Sequence, residues 1–140
     1  MKNTFSFQLL VLYREFVAYT KKELKKLGLN FGQMPLIIYT GKHPGCSQTD
    51  LTKALDLDWG YSQRSIAKLS DDGFMTKQYD EGKSCNILHL TRRGMQAFDT
   101  CHEVFHTWDT MKLSNLTSWE RIGLITFLQK ITEPKEAENR

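Results

Sequence analysis

The most constraining feature of this chain is a run of three short elements in its middle, each with its own start and stop. Ser47, with Asp50 three residues on, has the form of a helix N-cap with an acidic third residue, and Leu51, Ala54 and Leu55 follow at helical spacing. Asp58 is placed to cap a second helix that runs to about Asp72 and stops at Gly73. Phe74–Tyr79 and Ser84–Leu90 then read as two strands, joined by Asp80-Glu81-Gly82-Lys83 with its glycine in the turn. Two short helices with a brief connection, leading straight into a hairpin, leave few architectures open.

Long amphipathic helices flank this centre. The first carries Leu9, Leu12, Tyr13, Phe16 and Leu24 on one stripe and closes at Gly28. A second apolar segment, Phe31–Thr40, accepts Pro35 in its first turn, where a missing N–H costs little, and His43-Pro44-Gly45 breaks the chain after it. Thr91 is positioned to cap a long helix with Met95, Phe98, His102, Phe105 and Trp108 on one side. Thr117-Ser-Trp-Glu120 is a capping box, followed by Ile122, Ile125, Leu128 and Ile131. The tail from Glu133 is polar and expected to fray. The order matches a winged helix-turn-helix: mainly α, a small β-hairpin wing, and N- and C-terminal helices forming a dimerisation region. Those end helices hold more apolar surface than so small a unit needs, which points to an obligate dimer.

Composition narrows the function. The 140 residues carry 19 Lys and Arg against 16 Asp and Glu, a net +3 too weak to name nucleic acid as partner by itself. Residues 1–40 hold six basic and two acidic side chains, residues 41–94 eight and seven, residues 95–140 five and seven. No segment is a basic tail, so DNA binding requires a few cations on a shaped surface. Three cysteines without a CxxC pair argue against a disulfide framework or zinc ribbon. No apolar run approaches a membrane span. Lys2 before Phe5–Tyr13 imitates a signal peptide, but Arg14 and Glu15 interrupt the stretch and no small-x-small site follows, so a cytoplasmic protein is expected. No Gly-rich phosphate loop, nucleophile elbow or carboxylate pair suggests an enzyme.

Ser47-Gln-Thr-Asp-Leu-Thr-Lys-Ala-Leu-Asp-Leu-Asp58, continued by Trp59-Gly-Tyr-Ser-Gln-Arg64 and on to Leu69 and Gly73, resembles the MarR (multiple antibiotic resistance regulator) family of bacterial regulators. The family pattern is (S/T)-Q-x-x-L-A-x-x-L-x-L-D, then a helix with Arg, Leu and Gly where this chain has Arg64, Leu69 and Gly73. His43-Pro44-Gly45 and Leu90-Thr91-Arg92-Arg93-Gly94 match the family's H-P-G and L-T-x-x-G, and the likeness spans residues 5–132. It departs at the hairpin tip, one residue shorter with Lys83 in place of Arg, which loses the forked contact geometry of a guanidinium. Ser62 and Ser65 also replace apolar residues, an expected loosening of the recognition helix. The resemblance implies one MarR-like domain over 1–140: dimerisation helices at 1–30 and 95–132, a winged helix-turn-helix at 31–94, and a frayed tail at 133–140.

On that reading the chain is a sequence-specific regulator of transcription, a homodimeric repressor on a pseudo-palindromic double-stranded operator. The outward residues of the second helix are then Trp59, Gly60, Tyr61, Gln63, Arg64 and Lys68, with Gln63 suited to adenine and Arg64 to guanine or phosphate. A salt bridge to Asp58 or Asp71 is the competing assignment for Arg64, and Trp59 and Tyr61 can instead cover the helix-turn-helix core. Lys77, Lys83 and Arg92 are candidates for phosphate contacts from the wing. The resemblance also implies a pocket for a small aromatic or anionic effector, with Tyr13, Phe16, Tyr39 and Phe105 as lining or, alternatively, plain core. Asp99, His102 and His106 share a helix face at metal-ligand spacing but lack a ligand from another segment. Cys46, beside a helix N-terminus, is the best redox candidate, while Cys85 and Cys101 read as packing residues. No cofactor is expected. A winged-helix module that binds protein, or a metal- or redox-responsive regulator of the same fold, are the alternatives.

Overall fold

The computed structural model describes residues 1–133; the expected fraying of 134–140 lies outside the described residues. The chain resolves into two compact units, one over Met1–Phe105 and one from His106 onward. In the first, α1 spans Phe5–Lys25, its N-terminus closed by Thr4, whose Oγ1 accepts from the Phe7 N–H at 3.2 Å. Gly28, at φ +79°, turns the chain out of this helix. The second apolar segment is two elements rather than one. Asn30 and Gln33 form a reciprocal capping box around a single 3-10 turn, Phe31–Gln33, and α2 follows over Met34–Lys42 with Pro35 at its start.

Cys46–Ser47 forms β1, a two-residue strand with no signal in the sequence pattern, and α3 follows over Gln48–Ala54. Ser47 caps α3 as expected, its Oγ accepting from Asp50 N–H at 2.9 Å. Asp56, at φ +50°, makes the turn into α4, Trp59–Asp71. β2 (Met75–Asp80) and β3 (Cys85–Leu90) pair antiparallel from Met75 opposite Leu90 to Asp80 opposite Cys85. β1 adds to the far edge of β3, Cys46 opposite Leu88, so the hairpin is part of a three-stranded sheet in the order β1-β3-β2. At the hairpin tip the left-handed residue is Ser84, at φ +51°, and not Gly82.

Leu24, Leu36, Ile37, Leu51, Ile66, Leu69, Phe74, Met75 and Leu88 form the core of this unit. Burying each such side chain contributes roughly 1.5–3 kcal/mol before conformational entropy is counted. The helix after the hairpin, α5 (Arg92–Lys112), packs through residues one position before its apolar stripe. Its buried residues are Gly94, Ala97, Cys101 and Val104, while Met95 and Phe105 are exposed and Phe98 is half-buried. Close approach decides this. A side chain at Gly94 would run into the Phe74 carbonyl, and one at Gly41 into the Phe98 ring. Large residues cannot stand where the backbones come that near, so the small ones face inward.

The second unit holds α6, Ser118–Thr132, started by the expected capping box: Glu120 N–H donates to Thr117 Oγ1 and Thr117 N–H to Glu120 Oε1. No residue of α6 is buried, and Trp119, Ile122, Ile125, Phe127 and Ile131 are exposed. In the first unit, Phe5, Leu9, Leu10, Leu12 and Tyr13 of α1 are exposed as well, and its buried residues are Thr20 and Leu24.

Candidate nucleic-acid interface

The candidate interface is the outward face of α4, and local chemistry sets its start. Asp58 Oδ2 accepts from Tyr61 N–H at 3.1 Å, satisfying one of the open donors of the first turn. Gly60 leaves room beside this cap: a Cβ there would lie 3.1 Å from Arg64 Nη1 and 3.2 Å from Asp58 Oδ2. The inward residues are Ser62, Ile66 and Leu69, all buried. Ser62 does not loosen the helix. Its hydroxyl meets that of Thr52 on α3 at 2.6 Å, so the polar group in the interior is satisfied.

Facing outward are Trp59, at 46% exposure, with Gln63, Arg64 and Lys68 also exposed. Among the described residues Arg64 forms no ion pair, with Asp58, Asp71 or any other carboxylate. Its guanidinium keeps its donors for another partner. Lys68 Nζ is 3.1 Å from Asp72 Oδ2, an exposed pair of the kind worth little and readily exchanged for a phosphate. Tyr61 stands apart from this group. Its hydroxyl reaches the 3-10 turn, where a Cβ on Gly32 would come within 2.7 Å of it. Tyr61 thus braces α4 on the preceding segment, though its ring stays partly exposed.

On the wing, Lys77 and Lys83 are exposed. Asp80 orders the tip by accepting from the Lys83 N–H at 3.2 Å. Arg92 is exposed at the first turn of α5. Two further residues belong to this surface. Tyr79, two positions along the strand from Lys77 and so on the same face, is 60% exposed; period-two spacing from Lys77 was the signal for it. Arg93 lies over the Phe74 ring at 4.2 Å and donates from Nη1 to the Asp72 carbonyl at 2.6 Å. It places a cation on the carbonyl end of α4, where the helix dipole is negative. No pattern in the sequence separates it from its neighbour Arg92.

Of the four aromatics expected to line an effector site, the structure gathers some. Phe16 packs on Phe105 with ring centroids 5.7 Å apart and edge-on to Phe31 at 6.3 Å. Tyr13, with Val11, Arg14, Val17, Lys21 and Phe31, borders an open groove of about 880 Å³ along α1. Tyr39 instead stacks on His43 at 4.4 Å. Asp99, His102 and His106 form no metal-holding group among the described residues, and His102 Nδ1 lies 3.0 Å from the Phe98 carbonyl. Cys46 differs from the expected activated thiol. Burial and the nearby Asp50 carboxylate push it up, against an opposing contact from the Thr40 hydroxyl, so it is protonated at neutral pH. Burial raises Cys101 further, to about 11.

A short helix braced behind an exposed helix, with a β-hairpin beside it, defines a winged helix-turn-helix protein. No family model matches the chain. It is 40% identical to the HTH-type transcriptional regulator BilQ of Clostridium symbiosum over 138 residues, covering 98% of this chain and 96% of that one. Among solved structures, a MarR transcriptional regulator from Methanosarcina mazei superposes with a TM-score of 0.81 at 25% identity, covering 90% and 91% of the two chains. The DNA complex of MepR from Staphylococcus aureus superposes at 0.72 with 18% identity, covering 91% and 94%. The chain belongs to the MarR family of DNA-binding transcriptional regulators. No helix among the described residues is long and apolar enough to cross a membrane.

Proposed function

We propose that this protein works in the cytoplasm as a homodimeric repressor of a pseudo-palindromic operator, and not as a catalyst. The observation that carries the reading is the division of α4. Its inner side is held by Ser62, Ile66 and Leu69, while Gln63, Arg64 and Lys68 stand exposed on the other side, with Arg64 in no ion pair among the described residues. In the major groove that face offers an amide for adenine and a guanidinium for guanine or phosphate, and Trp59 adds a ring for sugar or base. Lys77, Lys83 and Arg92 meet the flanking phosphates. The MepR relative was solved on DNA, which supports the same use of the fold here.

The dimer follows from the exposed apolar side chains of α1 and of α6, which a lone chain would leave in water. Residues 1–30 and 95–132 supply that interface, and 31–94 bind DNA. Two-fold symmetry places the recognition helices about one helical turn, roughly 34 Å, apart. An aromatic or anionic effector bound near Tyr13, Phe16 and Phe105 would act by favouring one spacing of those helices over another. The test is gel-shift titration with the DNA upstream of the protein's own gene over a range of salt. Binding that weakens steeply with salt supports the proposal. Absence of salt-sensitive binding to any duplex would sink it.

A further inference from the structure

A line of polar side chains runs from the recognition helix to the wing through the interior of the helix-turn-helix. Ser62 on α4 and Thr52 on α3 have their hydroxyl oxygens 2.6 Å apart, Ser62 with no exposure and Thr52 with 7%. The Thr52 hydroxyl donates to the Gln48 carbonyl at 2.7 Å. It has one proton, so in the Ser62 pair Thr52 must be the acceptor and Ser62 the donor. Gln48, buried as well, accepts with its side-chain Oε1 from Asn86 Nδ2 on β3 at 3.1 Å. Every polar side chain in the line is partnered, and the line joins three elements: α4, α3 and the strand leading back from the wing tip.

Apolar pairs at such a helix crossing would be attractive but nearly indifferent to small slides, because dispersion and burial are non-directional. A 2.6 Å hydroxyl pair is not indifferent: it has one short range of distances and weakens steeply as the O–H tilts away from its acceptor. We propose that Ser62, Thr52, Gln48 and Asn86 act as a positioning brace that fixes α4 and the wing relative to α3, and so sets base discrimination rather than overall attraction to DNA. This rests on the DNA-binding reading of α4. Base contacts tolerate less displacement than phosphate contacts, so a loosened brace costs specificity first.

The experiment uses a duplex enriched by the wild-type protein from a random pool, a scrambled duplex of equal length, and thermal melting of each variant. Ser62→Ala, Thr52→Val and the pair together are compared. Each single variant is expected to bind the enriched duplex about tenfold more weakly with little change on the scrambled one, and the pair to be no worse than either single. Asn86→Ala, at a half-buried strand position, breaks the line at the wing end and guards against a core variant that fails to fold. It is expected to lose about threefold on the enriched duplex alone. Equal losses on both duplexes, losses that add in the pair, or unchanged discrimination in folded variants would overturn the brace. A wild-type protein that enriches no duplex would overturn the DNA reading itself, a separate outcome.

Discussion

Gly94→Ala is the sharpest test of how α5 seats on the winged unit. The added methyl would collide with the Phe74 carbonyl oxygen and sit 3.0 Å from its carbon and 3.1 Å from Leu90 Cβ. That carbonyl has little freedom to move, because it already accepts from the Thr91 N–H at 3.1 Å. Thr91 is itself tied on both sides: its hydroxyl donates to the Gly73 carbonyl at 2.6 Å and accepts from the Gly94 N–H at 3.1 Å. Relief therefore requires α5 to lift or this junction to break. Overpacking costs about 1–3 kcal/mol, and a lost backbone hydrogen bond about 1 kcal/mol more. Alanine offsets about 1 kcal/mol of that through better helix propensity. The net is a destabilisation of about 1–3 kcal/mol. For a chain of this size that is a fall in Tm of roughly 3–12 °C. Circular dichroism melts at matched protein concentration measure it, since a dimer's Tm moves with concentration. A variant melting at or above wild type would refute the close approach on which the inward face of α5 depends.

Three other outcomes follow from the same structure. Backbone and hydroxyl hydrogen bonds at Thr117 hold the Glu120 carboxyl below its ordinary 4.5, so its contribution to α6 is present above that value and lost as pH falls through the lowered midpoint. An NMR titration placing that midpoint at or above 4.5 would contradict the capping box. Cys101, buried with its thiol at about 11, should resist alkylation at pH 8 in the folded protein, with about one molecule in a thousand as thiolate, and react on unfolding. Mass spectrometry of the labelled peptides reads this, and fast native labelling of Cys101 would count against its burial. Lys83→Ala should weaken DNA binding evenly across sequences and lower the salt slope by about one, as expected for a single phosphate contact. A sequence-selective loss would show that the wing tip reads bases.

Local chemistry made much of this fold legible. Asp58 and Gly73 bound α4, Pro35 starts α2, and Thr117 with Glu120 starts α6, because caps and breakers act within one turn and leave their mark in neighbouring residues. What stayed hidden depends on partners distant in the chain. β1 is two residues long and exists only because β3 offers it an edge. The apolar stripe through Met95 and Phe105 does not tell which side of α5 packs inward, whereas the approach of the Phe74 carbonyl leaves no room for a side chain at Gly94. Ser62 looked like a defect in an apolar stripe until Thr52 supplied its partner. The candidate interface was readable as a set of outward positions on α4. For Tyr61 a packing role was open beside a DNA contact, but its neighbour was not readable, since its hydroxyl lies by Gly32, which is 29 positions earlier in the sequence.

Whether the exposed face of α4 reads DNA is probed most directly at Arg64. Arg64 is exposed and makes no ion pair among the described residues, so its removal leaves no buried charge behind and should leave stability almost unchanged. Fluorescence anisotropy of Arg64→Ala on the wild-type protein's preferred duplex should show specific affinity reduced by about 1–3 kcal/mol, roughly 5- to 150-fold, with discrimination relaxed at the base pair it contacts. Affinity and discrimination equal to wild type would contradict the account.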